Sequence, residues 1–104
     1  MKLWYSNSSP YARKARAVVQ YHQLQDHVEL LLATSGLDKN SPHNLDNPLG
    51  RLPALQRENG EWLYNSSLIA EYLDHLGTQP SLYGNSETRW EILRLHYLVD
   101  GILE

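Results

Sequence analysis

The chain has 104 residues, with 9 Lys and Arg against 12 Asp and Glu, a formal charge of −3 and no cysteine. That length holds one domain, or one domain and a piece of another, and the acidic balance argues against a nucleic-acid-binding module, which carries a basic excess. The absence of cysteine excludes disulfide frameworks, thiol–disulfide catalysis, a cysteine nucleophile and thiolate zinc sites.

Residues 2–5 form a short apolar run, predicted as a strand. Ser6-Asn7-Ser8-Ser9 breaks it, and from Pro10 the pattern turns helical. Tyr11, Ala15, Val18, Val19 and His22 recur at three- and four-residue steps. Ser9 is the natural cap and Pro10 the natural first helical residue. Arg13-Lys14-x-Arg16 reads as a solvated face of this helix, with Arg13 near enough to the first turn to assist an anion. Val28 to Ala33 is a compact apolar run that reads as a strand buried on both faces. Strand, helix and strand in this order make a βαβ unit with a parallel pair.

Residues 34–50 are rich in Ser, Asn, Asp, Gly and Pro and read as irregular, with room for one helical turn. Leu52 to Arg57 and Trp62 to Tyr64 read as two strands of a hairpin, because Asn59-Gly60 between them is a strong turn signal. A second helix follows, with Leu68, Ile69, Tyr72, Leu73 and Leu76 on its apolar stripe. Asn65 or Ser66 caps its start, and Gly77 sits where a C-terminal cap belongs. Residues 78–86 read as a linker. From Glu87 a third helical pattern runs to Glu104 with two apolar sides, which asks for partners on both. It reaches the last residue without a stop signal. The expectation is a chain cut inside a larger architecture, or one whose missing packing comes from a partner.

Three places carry possible chemistry. Ser9 stands at a helix N-terminus, where unpaired N–H groups and the dipole favour an anion such as a thiolate. Its plainer reading is a helix cap. Pro53 opens a strand; a cis bond there would turn the backbone of Leu52 outward, able to pair with an extended peptide. An ordinary trans proline is the plainer alternative. Asn65-Ser66-Ser67 opens a second helix and would suit a carboxylate, or is again only a cap. The five histidines (22, 27, 43, 75 and 96) show no metal-ligand spacing. His22 lies on a helix stripe and reads as a core residue, and no metal is expected. No run of about 18 apolar residues is present, and Met1–Tyr5 lacks a secretory signal's apolar stretch. The expected setting is the cytoplasm, with no membrane and no nucleic acid.

Their order is more specific than any one of them. Ser9-Pro10-Tyr11-Ala12-Arg13-Lys14, then Asn47-Pro48-Leu49-Gly50-Arg51-Leu52-Pro53-Ala54-Leu55, then Leu63-Tyr64-Asn65-Ser66-Ser67-Leu68-Ile69-Ala70-Glu71-Tyr72-Leu73, together resemble the N-terminal domain of glutathione S-transferases, of a bacterial-looking, Ser-type kind. The resemblance covers residues 1 to about 77. The helix containing Asp100-Gly101-Ile102-Leu103 resembles the first helix of that family's all-helical second domain. It implies an α/β, thioredoxin-like fold: βαβ-ββα with a four-stranded mixed sheet, followed by a C-terminal helix from an incomplete all-α domain. The implied division is 1–77 for the glutathione-binding domain, 78–86 for the linker and 87–104 for the first helix of the second domain.

The resemblance further implies glutathione as co-substrate. Ser9 would hydrogen-bond its sulfur and raise the thiolate fraction for attack on small hydrophobic electrophiles, with Tyr5 or Ser8 as alternatives. Leu52 would offer its backbone to the cysteinyl part beside a cis Pro53. Ser66 would hold the γ-glutamyl carboxylate, with Asn65 where many members carry Asp, Glu or Gln. Arg51 and His43 are candidates for the glycyl end, and Arg13 for general anion support. The implied protein is a glutathione transferase, homodimeric at full length. The 104-residue chain would be poorly active alone, because the helical domain supplies the electrophile pocket. The competing expectation is a non-catalytic interaction module with the same fold.

Overall fold

The computed structural model describes residues 1–33 and 52–103. Strand β1 (Lys2–Tyr5) leads to helix α1 (Pro10–Tyr21), and a single tight turn at Gln25–His27 precedes strand β2 (Glu29–Leu32). Strands β3 (Ala54–Gln56) and β4 (Trp62–Tyr64) follow, then helices α2 (Ser66–Leu76) and α3 (Arg89–Leu103). The sheet order is β2-β1-β3-β4. The β1–β2 pair is parallel and the β1–β3 and β3–β4 pairs are antiparallel. This is the expected thioredoxin-like arrangement, a four-stranded mixed sheet with a βαβ and a ββα half. The reversal between β3 and β4 uses Gly60 at φ 91°, a left-handed conformation that glycine adopts without strain.

One face of the sheet builds the core. Leu3 and Leu55, paired across β1 and β3, meet Ala15, Val18 and Val19 of α1 and Ile69, Ala70 and Leu73 of α2. Each large apolar side chain buried here contributes about 1.5–3 kcal/mol. The stripe of α1 runs through Ala12, Ala15, Val18 and Val19 and ends on His22, which is fully buried.

Strand β2 departs from its expected double burial. Among the described residues it lies at the sheet edge beside β1, and Leu30 and Leu32 are 44 % and 52 % exposed. A continuous apolar run gives no information on which strand ends at an edge, so the sequence overstated its burial.

The segment predicted as a linker is clasped rather than loose. His22 Nε2 donates to Asp74 Oδ1 at 2.8 Å, and His22 Nδ1 accepts from the backbone N–H of Gln79 at 3.2 Å. Asp74 also accepts from the Leu82 N–H at 2.8 Å and the Ser81 hydroxyl at 2.6 Å. Gly77 caps α2 in an extended conformation, not in the left-handed one usual for a C-terminal glycine. Its small size has a different reason: a Cβ there would fall on the His22 ring. Helix α3 starts two residues later than expected. Asn85 organises the turn before it, its side-chain oxygen accepting from the N–H groups of Glu87 and Thr88 at 2.9 and 3.0 Å.

Candidate functional site

Strand directions decide where the three sequence signals fall. β1 and β4 both end, and β3 begins, at the same end of the sheet, because β3 runs antiparallel to each of them. Continuing the β3–β4 register beyond Ala54↔Tyr64 sets Leu52 opposite Ser66. Continuing β1–β3 beyond Trp4↔Ala54 sets Leu52 beside Ser6. Both α1 and α2 therefore start at this end. Ser9, Leu52-Pro53 and Asn65-Ser66 gather there from positions up to 57 residues apart in the chain.

Ser9 is the cap of α1. Its hydroxyl oxygen accepts from the Ala12 N–H at 3.1 Å, and its backbone has the extended geometry of a cap, φ −80° and ψ 118°. Accepting that bond uses a lone pair and leaves the hydroxyl proton free to be donated elsewhere. Ser8 is exposed and precedes the cap. Tyr5 lies partly buried under the Arg16 guanidinium, 4.5 Å from its ring centroid. Arg13 is exposed on the first turn of α1. The Leu52–Pro53 peptide bond is cis, and Pro53 is buried.

Asn65 caps α2, its side-chain oxygen accepting from the Ser67 N–H at 2.9 Å. It holds φ 77° and ψ 122°, a conformation costly to a residue with a side chain. The Ser66 N–H follows immediately, in the first turn, where helical N–H groups have no helical acceptor. Ser66 itself is buried. Arg51 and His43 lie outside the described residues. Among the described residues no group of three His, Cys, Asp or Glu side chains is arranged to hold a metal ion.

A second cluster touches this end and was not foreseen. Lys14 donates to both oxygens of Asp100, at 2.8 and 3.0 Å, and lies 2.9 Å from His96 Nε2. The Ser67 hydroxyl donates to Asp100 Oδ2 at 2.6 Å and accepts from Lys14 at 3.4 Å. Lys14 is therefore not part of a solvated face: it crosses to α3. Burial pushes the Asp100 carboxyl up, but hydrogen bonds from Lys14 and Ser67 and the charges of Lys14 and His96 more than offset it and hold it below the usual range. A lone carboxylate inside Leu98-Val99-Asp100-Gly101-Ile102 was the available signal. A charge set in an apolar helical run is buried only with partners.

The family model described as "Glutathione S-transferase, N-terminal domain" matches residues 8–76. The chain is 29 % identical to the GST-like protein YibF of Escherichia coli, over all of this chain and 50 % of that one. It is 39 % identical to the maleylacetoacetate isomerase of Pseudomonas aeruginosa, over 60 % of this chain and 36 % of that one. Among solved structures, a glutathione S-transferase from Methylobacillus flagellatus with glutathione bound superposes with a TM-score of 0.87 at 38 % identity, covering 97 % of this chain and 49 % of that one. A glutathione transferase family member from Pseudomonas fluorescens with bound glutathione gives 0.85 at 36 % identity, covering 97 % and 50 %. The chain thus spans about half the length of YibF and of these two structures.

Proposed function

The chain belongs to the glutathione S-transferase family, and from that premise we propose that it carries the glutathione-binding half of a glutathione transferase. The observation that bears most weight is the gathering of Ser9, Leu52-Pro53 and Asn65-Ser66 at one end of the sheet, where two helices begin. In this reading glutathione lies extended across that end. The Leu52 backbone pairs with its cysteinyl part. The Ser66 N–H and hydroxyl receive the γ-glutamyl carboxylate, aided by the positive end of α2 and by Asn65. Arg51 and His43 serve the glycyl end, and Arg13 adds positive charge nearby.

The sulfur then meets the Ser9 hydroxyl. A donor at a helix N-terminus favours thiolate over thiol, and the thiolate is the nucleophile. It attacks an electrophilic carbon, the carbon–sulfur bond forms, and the leaving group or the π-electron pair of the electrophile departs or takes up a proton. Serine serves as donor and not as base. Tyr5 suits this task less well than Ser9, because its ring is engaged by Arg16. The electrophiles are proposed to be small and hydrophobic. The full-length protein is proposed to be a cytoplasmic homodimer, its pocket completed by residues outside this chain.

Glutathione titrated into the 104-residue chain, followed by amide shifts in NMR, tests the reading. Saturable shifts at Ser9, Leu52 and Ser66 are expected, and Ser66→Ala should weaken binding by about tenfold or more, the worth of one hydrogen bond to a charged group. A folded spectrum that glutathione does not move would sink the reading and favour an interaction module.

A further inference from the structure

We infer that His96 is a positioning residue: as a neutral imidazole it completes the junction of Lys14, Asp100 and Ser67 that holds the first turn of α2 in place for glutathione. The inference rests on the glutathione-site reading above. The turn carrying Ser66 is fixed from two directions. Asn65 takes the Ser67 N–H, and Asp100 takes the Ser67 hydroxyl. Asp100 is held in turn by two bonds from Lys14. The same ammonium meets His96 Nε2 at 2.9 Å.

An ammonium group only donates, so the ring nitrogen facing it must present a lone pair. His96 is therefore neutral, with its proton on Nδ1. A proton taken from solvent onto Nε2 would set two cations against each other at hydrogen-bond distance. Lys14 would be pushed from the junction, and Ser67 would lose the arrangement that fixes it.

The groups facing the ring pull in both directions. Lys14 comes from α1, and Ser67 and Glu71 from α2. Asp100 and Tyr97 lie on α3 itself, and Tyr83 precedes it, with its ring centroid 5.9 Å away. Arg89 in turn lies over the Tyr83 ring. The carboxylates of Asp100 and Glu71 favour the imidazolium. Burial and then the Lys14 charge outweigh them and hold His96 below its ordinary pKa. A histidine with a lowered folded pKa contributes stability above its unfolded pKa and loses it as the pH falls. Acid therefore acts against the junction.

The test measures glutathione affinity of the wild-type chain and of His96→Asn at pH 7.0 and pH 5.0. It also follows the Ser66 and Ser67 amide shifts across the same range without glutathione. The carboxylates of glutathione and of Asp100 stay ionised throughout. Wild-type affinity should fall by at least about fivefold on acidification, the lower end of coupling between sites. His96→Asn does not titrate and keeps only the pH dependence that His43 and the glutathione thiol give to both proteins, so its affinity should fall less than that of the wild type. His96→Lys should bind weakly at both pH values. In the ligand-free wild type the two amides should move with the imidazole, and in His96→Asn they should not.

Equal pH profiles in wild type and His96→Asn overturn the inference, as do Ser66 and Ser67 amides that ignore the imidazole. No glutathione binding at pH 7.0 sinks the glutathione reading instead, while the amide shifts still decide whether His96 holds the turn. If His96→Asn does not fold, His96→Gln carries the same comparison.

Discussion

The cap and the proposed chemistry of Ser9 do not compete. Its oxygen accepts from Ala12 to cap α1, and in the proposed function its proton goes to the glutathione sulfur. The two can be separated by substitution. Ser→Ala at a cap costs about 1 kcal/mol of stability, while Ser→Gly costs only a few tenths. Both remove the donor. A hydrogen bond to a charged group is worth about 1.5–3 kcal/mol, or about one to two pKa units. Ser9→Gly should therefore leave the chain nearly as resistant to urea and raise the pKa of bound glutathione thiol by that amount, read from thiolate absorbance against pH. An unchanged thiol pKa would remove Ser9 from the chemistry. Ser9 and Asn65 were legible in the sequence because each acts on backbone within three residues of itself. Lys14 was not, since its partner Asp100 lies 86 residues away and no local pattern links them.

Helix α2 is defined at both ends by contacts outside its own stripe. At its start Asn65 accepts a disfavoured backbone conformation while capping Ser67. At its end Gly77 makes room for His22. The sequence pointed to glycine at this position, but for the conformational reason and not the steric one. Gly77→Ala forces a methyl group against a buried ring bonded to Asp74 and Gln79. A loss of about 1–3 kcal/mol is expected, measured by urea unfolding; an unchanged midpoint would show that the clasp gives way freely.

Asp74 adds a pH dependence. Burial pushes its carboxyl up, but the Leu82 N–H, the Ser81 hydroxyl and His22 together hold it below its ordinary value of 3.8. A carboxylate lowered in the folded state contributes stability above its unfolded pKa and loses it as the pH falls. Stability should therefore decline from about pH 4 downward, and Asp74→Asn should flatten that part of the acid-unfolding profile. Strand order lies beyond such local readings. The apolar run of β2 looked internal because edge position depends on the order of all four strands.

At the scale of the whole molecule, α3 carries exposed apolar side chains that the other described residues leave uncovered. Trp90 and Ile102 are each 75 % exposed, and Leu95, Tyr97, Leu98 and Val99 are all more than half exposed. The inner side of α3, with Leu93 and Asp100, is buried against the rest of the chain. The two sides read from the sequence are not kept: Leu93 is docked, while Trp90 and Tyr97, read on the same side, stay exposed with Leu95 and Val99 of the other. Contiguous exposed apolar surface drives association. Sedimentation at rising concentration should show the chain self-associating, and Leu98→Glu with Ile102→Glu should return it to a monomer. A wild-type chain that stays monomeric throughout would refute this. The βαβ unit, the hairpin and the starts of α1 and α2 followed from pattern, while the four-stranded mixed sheet and a shared site for Ser9, Leu52 and Ser66 were implied by the family resemblance. The cross-helix polar junction followed from neither, because it depends on how three helices meet.

The clasp and the junction also act together as a mounting. His22 and Asp74 grip the chain at Gln79, Ser81 and Leu82, and Lys14 and Ser67 grip α3 at Asp100. Arg89, the first residue of α3, also donates to Glu71 of α2 at 3.2 Å, so the helix is held towards both ends and does not swivel. Helix α3 should therefore tumble in solution with the rotational correlation time of the sheet, its heading set by α1 and α2. Any surface that docks on its open side meets a fixed platform instead of a swinging arm.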